Sequence, residues 1–265
     1  MSKIASAFNH GKAFIAFITC GDPDLETTGR SIRAAVQSGA DLIELGIPFS
    51  DPTAEGPVIQ EANLRALQGG VTTDLIFSFV RKLRMDVTVP LVFMTYANVI
   101  FSYGADRFIS TCAEIGIDGL ILPDLPYEEK EEFLPLCRQY GVDLISLIAP
   151  TSEDRVAMIA REAEGFIYLV SSLGVTGTRS EITTDLAPII RTIRESSKVP
   201  VAIGFGISTP EQAKRMAALS DGAIVGSAIE KILAKSGRNA PEEIGRYVRS
   251  MKAALEELSK DGEIH

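Results

Sequence analysis

Asp41-Leu-Ile-Glu-Leu-Gly-Ile-Pro-Phe-Ser-Asp-Pro-Thr-Ala-Glu-Gly-Pro57 is the stretch from which the fold can be worked out. It opens as a buried strand, because Leu42, Ile43 and Leu45 are apolar and turn residues bound them. Glu44 interrupts that run. A carboxylate inside a strand is costly to bury unless it is paired or used. The tail that follows is stiffened by Pro48, Pro52 and Pro57 and adds two acids, Asp51 and Glu55. A carboxylate late in a strand, followed by a stiff acidic loop, is the layout of an active site at one end of a parallel barrel.

Outward from this stretch the same alternation recurs. Apolar runs that read as strands lie at Phe14–Ile18, Leu42–Leu45, Leu91–Thr95, Gly119–Leu122, Leu144–Ile148, Phe166–Val170, Val201–Gly204 and Ala223–Val225. Nearly every residue in them is apolar, as expected for parallel strands covered on both faces. Helical patterns fill the intervals, at Leu25–Gln37, Leu75–Leu83, Ala105–Ile115, Glu128–Gln139, Ser152–Ala163, Leu186–Glu195 and Pro210–Leu219. Thr73-Asp74, Ser152 and Ser208-Thr209-Pro210 stand where N-caps belong, and Gly39, Gly70, Gly116 and Gly141 where helices should stop. An Asp at or near the start of the next strand recurs at Asp41, Asp118, Asp143 and Asp221.

Eight such units in one chain of 265 residues predict a (β/α)₈ barrel, with a doubly wound open sheet as the alternative. No Pro-, Ser- or Gly-rich linker divides it, so residues 1–265 read as a single domain. Additions to the plain barrel are a first helix at Lys3–Asn9, another at Ile59–Gln68 after the second strand, and a last one after the eighth. In that last helix Ile244, Val248, Met251, Leu255 and Leu258 share one face.

Composition narrows the chemistry. Net charge is −9 with no basic run, which argues against nucleic-acid binding. Three cysteines without CxxC spacing fit a reduced, cytoplasmic protein without a disulfide frame or zinc site. Two histidines, both near the chain ends, leave almost nothing for a Ser-His-Asp or His-metal mechanism, so no metal is expected and acid–base work falls to Asp, Glu or Tyr. No apolar run reaches the roughly eighteen residues of a membrane span, and the N-terminus lacks a signal-peptide core.

The loops after the seventh and eighth strands, Gly204-Phe-Gly-Ile-Ser208 and Gly226-Ser-Ala-Ile229, resemble a barrel phosphate site: glycines admit the anion to backbone amides, and a helix dipole favours its charge. Gly206, Gly226 and Ser227 are the expected donors, although tight β/α turns alone would also demand glycine. The segment Val170–Arg179 is small and polar, fitting either a lid with Thr176 and Gly177 against the substrate or an ordinary surface loop. Glu44 and Glu55 are the candidate acid–base pair, since burial raises a Glu pKa toward neutrality. The bland readings are an acid satisfied by rim amides and a solvated loop acid.

At these residues the sequence resembles the tryptophan synthase α-subunit family. The matching motifs are Phe17-Ile-Thr-Cys-Gly-Asp-Pro23, Glu44-Leu-Gly-Ile-Pro-Phe-Ser-Asp-Pro52, Gly56-Pro-Val-Ile-Gln60, Met94-Thr-Tyr-Ala-Asn98, Leu122-Pro-Asp-Leu-Pro126, Gly174-Val-Thr-Gly177 and Gly204-Phe-Gly-Ile-Ser208. The resemblance implies a barrel lyase that cleaves indole-3-glycerol phosphate to indole and glyceraldehyde 3-phosphate. It implies a β-subunit partner in an αββα heterotetramer. That partner receives the indole and alone carries pyridoxal phosphate, so no cofactor is expected in this chain. It maps the main catalytic glutamate onto Glu44 and the second catalytic carboxylate onto Glu55. It further maps phosphate contacts onto Gly177, Gly206, Gly226 and Ser227, and an indole pocket onto Phe17, Tyr96, Tyr168 and Phe205. Phe49 to Pro52 would face the partner. The family usually has Asp where this chain has Glu55. The added methylene moves a carboxylate by about 1 Å, a displacement that can cost about a hundredfold in rate. The rival readings are a catalytically weak activator and another phosphosugar barrel such as an isomerase. An isomerase would need an acid–base pair at the ends of strands one and five or one and six; Cys20 lies just past strand one, but no matching acid follows strand five, where this chain has Ala149-Pro150-Thr151.

Overall fold

The computed structural model describes residues 3–171 and 185–262, with side chains to residue 258. Its strands are β1 (Ala13–Thr19), β2 (Leu42–Gly46), β3 (Leu91–Met94), β4 (Gly119–Ile121), β5 (Asp143–Leu144), β6 (Ser146–Ile148), β7 (Ile167–Val170), β8 (Val201–Gly204) and β9 (Gly222–Val225). All pair in parallel in the order β5-β4-β3-β2-β1-β9-β8-β7-β6. This is the expected barrel, with one difference. The predicted fifth strand, Leu144–Ile148, is divided: β5 pairs with β4 and β6 pairs with β7. Between them Ile145 still donates its amide to Leu120 O at 2.9 Å. One chain segment thus joins the two ends of the sheet by changing neighbour midway, and nine strands make eight staves.

Both faces of the strands are buried except in β5 and β6, where Asp143, Ser146 and Leu147 are half-buried, and the two-residue period sorts the faces. Ile15 and Phe17 join the cluster that fills the barrel, whereas Phe14, Ala16 and Ile18 join the layer under the helices. In β2, Leu42 faces inward and Ile43 and Leu45 outward, so Glu44, at the inward phase, is committed to the lumen. The expected first helix is a short 3₁₀ turn, Ile4–Phe8. Ile4 and Ala7 belong to the inner cluster, and Phe8 meets Phe166 with ring centroids 6.0 Å apart, which plugs the end of the barrel where the strands begin.

The recurring Asp has a physical job at three of its positions. Asp41 accepts from the Phe14 amide at 2.7 Å, Asp118 from Leu91 at 3.0 Å and Asp221 from Val201 at 2.9 Å. Each ties one strand's start to the turn before its neighbour. Cations cover these acids: Lys252 on Asp41, Arg84 on Asp118 and Arg194 on Asp221. Helix Ala240–Gly262 buries Ile244, Val248, Met251 and Leu255 completely, packing on helices Leu25–Gln37 and Pro210–Leu219.

Local chemistry explains most helix boundaries. Thr209 caps helix Pro210–Leu219 with a full capping box to Gln212. Thr72, not Thr73, caps Thr73–Leu83, and Ser152 makes no side-chain cap. The stretch expected as one helix over Glu128–Gln139 is a 3₁₀ turn, Tyr127–Glu132, followed by helix Leu134–Tyr140. Pro135 sits in the first turn of the latter, where a missing N–H costs nothing. Among the described residues no helix is long and apolar enough to cross a membrane.

Candidate active site

The C-terminal ends of the strands open onto a pocket of about 450 Å³. Phe17, Glu44, Glu55, Tyr168, Phe205, Gly206, Gly226 and Ser227 all line it, joined by Ile59, Met94, Ile207 and Ile224. Residues spaced over more than two hundred positions of sequence therefore share one cavity. The described lining contains no Lys or Arg.

Glu44 is 1 % exposed, and neither carboxylate oxygen has a hydrogen-bond partner among the described residues. Burial, reinforced by the charge of Glu55, pushes its pKa up to about 8. Glu55 stands on the opposing loop, 5 % exposed. Its pKa is also raised by burial, to about 7, against the opposing pull of a hydrogen bond from Asn63. Two acids poised near neutrality across one apolar pocket are what a proton relay needs.

Asn63 orients this arrangement and was not legible in the sequence. Its Nδ2 donates to Glu55 Oε2 at 2.7 Å and to Ile59 O at 2.9 Å, while its Oδ1 accepts from the Phe49 amide at 3.1 Å. From helix Pro57–Gln68 it therefore pins both ends of the acidic loop. Gln60 assists by donating to Glu55 O at 2.7 Å. The available signal was a buried amide on a helix face otherwise occupied by Ile59, Ala62 and Ala66.

Tyr96 falls outside the pocket wall. Its hydroxyl accepts from the Ala54 amide at 3.1 Å and its ring lies 5.1 Å from that of Phe49, so it braces the loop. Asp124 accepts from the Ala97 amide at 3.0 Å, at the start of helix Ala97–Tyr103. Thr176 and Gly177, with the rest of the suggested lid beyond Ser171, lie outside the described residues.

The opposite side of the pocket is backbone. Phe205 and Gly206 both have positive φ, 73° and 84°. For a non-glycine residue this is uncommon, and Ser171 holds the turn by donating Oγ to Phe205 O at 2.6 Å. Gly226 is the N-cap of helix Ser227–Ser236, whose first amides have no partner within the helix. Gly204 and Gly226 are needed for closeness: a Cβ on Gly204 would strike the Tyr168 hydroxyl, and one on Gly226 would press the Phe17 ring at 3.2 Å. Among the described residues no cluster of His, Cys, Asp and Glu could hold a metal ion.

Fold and acid placement put the chain among the (β/α)₈-barrel enzymes whose chemistry sits at the C-terminal mouth of the barrel. Comparison with known proteins makes this specific. The family model described as tryptophan synthase alpha chain matches residues 5–260. The tryptophan synthase alpha chain of Lacticaseibacillus casei is 48% identical over 256 residues, covering 97% of this chain and 96% of that protein. Among solved structures, tryptophan synthase subunit alpha from Legionella pneumophila superposes with a TM-score of 0.85 at 35% identity, covering 97% and 99% of the two chains. A chain of the tryptophan synthase complex from Pyrococcus furiosus gives 0.83 at 34% identity, covering 92% and 99%. The chain belongs to the tryptophan synthase alpha chain family. The role of that family is the lyase step of tryptophan biosynthesis, the cleavage of indole-3-glycerol phosphate with transfer of indole to a β subunit.

Proposed function

We propose that this chain performs the cleavage with Glu44 as the proton carrier and Glu55 as its partner acid. The observation that carries the reading is Glu44 itself: a fully buried carboxyl with both oxygens unpartnered, opposite a second acid in an apolar pocket. Such a group has a large desolvation cost unless a ligand supplies its partner. Near neutrality Glu44 is largely protonated, the form that can deliver a proton to the indole carbon bearing the side chain. Glu55 accepts the ring N–H as the ring becomes an indolenine. The adjacent side-chain hydroxyl then gives up its proton to Glu44, the carbon–carbon bond breaks, the electron pair returns to the ring, and Glu55 gives its proton back to the ring nitrogen. The ring carbon gains one proton and the hydroxyl loses one, so indole and glyceraldehyde 3-phosphate leave with Glu44 restored.

Phe17, Tyr168 and Phe205 supply an apolar slot for the indole, and the edge-to-face contact of Tyr168 with Phe205, centroids 6.0 Å apart, holds two of its walls. The phosphate sits on the amides of Gly206, Gly226 and Ser227, and Gly177 and Thr176 are the further substrate contacts the sequence suggests. Partial positive charge at the helix terminus serves where the described lining holds no Lys or Arg.

The working form is an αββα complex in the cytoplasm, with pyridoxal phosphate confined to the β subunit and no cofactor in this chain. Leu64, Leu67 and Phe101 are exposed on helices Pro57–Gln68 and Ala97–Tyr103, beside the acidic loop, and support a protein partner on that rim. The test supplies indole-3-glycerol phosphate and follows indole with and without the β subunit. Indole is released, faster with the partner present. Absence of indole in both arms sinks the reading.

A further inference from the structure

A further buried acid, Glu230, lies outside the pocket lining. Glu230 is fully buried in the first turn of helix Ser227–Ser236, the helix whose N-terminus forms the phosphate end of the pocket. Its backbone amide bonds Gly226 O at 3.0 Å, one turn from that terminus. Its Oε1 accepts from the Thr19 amide at 2.6 Å, at the last residue of β1. Among the described residues its Oε2 has no partner, nor has the Thr19 hydroxyl. Burial above all, and then the nearby Asp22, raise the Glu230 pKa, so the neutral acid is favoured.

The four residues from Thr19 to Asp22 each hold a different element. The Thr19 amide goes to Glu230 on the phosphate-site helix. The Cys20 amide goes to Gly46 O at 2.9 Å, two residues beyond Glu44. The Gly21 amide goes to Thr28 Oγ1 at 3.0 Å on helix Leu25–Gln37. The Asp22 carboxylate takes Arg65 bidentately at 2.9 and 2.7 Å, and Arg65 lies on helix Pro57–Gln68, two residues from Asn63. Helices Pro57–Gln68 and Ser227–Ser236 also pack on each other. A short buried segment therefore links the phosphate helix to the strand of Glu44 and to the helix that orients Glu55.

We propose that Glu230 is a positioning residue: by accepting the Thr19 amide it locks the phosphate-site helix to the Thr19–Asp22 segment, so that the phosphate end and the acid end of the pocket are held as one unit. This rests on reading Gly226 and Ser227 as the phosphate end. The locked geometry keeps the substrate's two ends at fixed separation, and misplacement by about 1 Å in such an arrangement costs about a hundredfold.

The test uses the full chain, with inorganic phosphate as a competitor of indole-3-glycerol phosphate, in wild type, Glu230→Leu and Glu230→Gln. Gln keeps an acceptor for the Thr19 amide; Leu does not. In Glu230→Leu the phosphate inhibition constant rises tenfold or more and kcat falls by a similar factor, whereas Glu230→Gln stays within about twofold of wild type in both. Unchanged constants in Glu230→Leu overturn the proposal, and so does equal damage in Glu230→Gln. If wild type shows no competition by phosphate, the phosphate site itself is misread. Should Glu230→Leu not fold, hydrogen exchange of wild type decides: phosphate slows exchange across residues 54–63 as well as near 226–230, and slowing confined to the latter overturns the proposal.

Discussion

Asn63 holds Glu55 by a single hydrogen bond, Nδ2 to Oε2 at 2.7 Å, and the same amide group secures the loop through the Phe49 amide at 3.1 Å. A bond to a charged acceptor favours its ionised form, and the raised Glu55 pKa already reflects its opposing pull. Asn63→Ala removes it. The Glu55 pKa rises further, so the limb of the kcat/KM profile that follows its ionisation moves to higher pH. The lost bond and looser loop lower kcat by about tenfold or more, since hydrogen bonds to charged groups contribute about 1.5–3 kcal/mol. A pH–rate series checks both effects.

The family's usual Asp is predicted to be inferior here. Asn63 meets the end of the longer side chain, while Gln60 holds the backbone of the same residue. Glu55→Asp withdraws the carboxylate by about 1 Å from Asn63 and from the substrate, and kcat/KM is expected to drop by ten- to a hundredfold. Steady-state kinetics on indole-3-glycerol phosphate measure this, and an equal or faster Asp variant contradicts it.

Glu44 makes stability depend on pH in a stated direction. Its folded pKa is about 8 against an ordinary 4.5. Between those values the folded state binds more protons than the unfolded chain, so stability falls as pH rises through that window and is unaffected by this group below it. Each unit of difference corresponds to about 1.4 kcal/mol. Glu44→Gln is therefore expected to be more stable than wild type at pH 8, on the order of 4 kcal/mol, and nearly equal to it at pH 4.5. Urea titrations at the two pH values test the sign.

Gly204 admits the Tyr168 ring to the pocket wall, and a Cβ there would collide with the Tyr168 hydroxyl. Gly204→Ala should cost about 1–3 kcal/mol by overpacking and displace Tyr168, raising KM for the substrate. Thermal melting and KM, taken together, check this. The double variant Gly204→Ala/Tyr168→Phe recovers only a small part of the stability, because it removes the nearest clashing atom but leaves ring carbons at 2.6 and 2.7 Å.

Much of this was legible because it is local. The apolar run Leu42–Leu45 put Glu44 late in a strand, before a stiff acidic loop, and the paired glycine turns after β8 and β9 marked one end of the pocket. What escaped depends on contacts distant in sequence. The division of the fifth strand at Ile145 leaves little mark, since Leu144–Ile148 carries no Gly or Pro and only Ser146 breaks its apolar run, and the change of partner is imposed by barrel closure. Tyr96 braces Ala54 instead of lining the pocket because of a hydrogen bond across 42 positions. Asn63 reads as an ordinary helix residue until the loop before it is folded back. Glu230 reads as a first-turn acid on a soluble helix, and only the end of β1 shows that it is buried.

The central claim is that Glu44 carries the proton. Its most direct test is single-turnover release of indole from indole-3-glycerol phosphate by Glu44→Gln beside wild type, each in complex with the β subunit. Gln fills the same space but cannot exchange a proton near neutrality. The account predicts that substrate still binds and that indole release falls by at least a thousandfold. Release at the wild-type rate would contradict it.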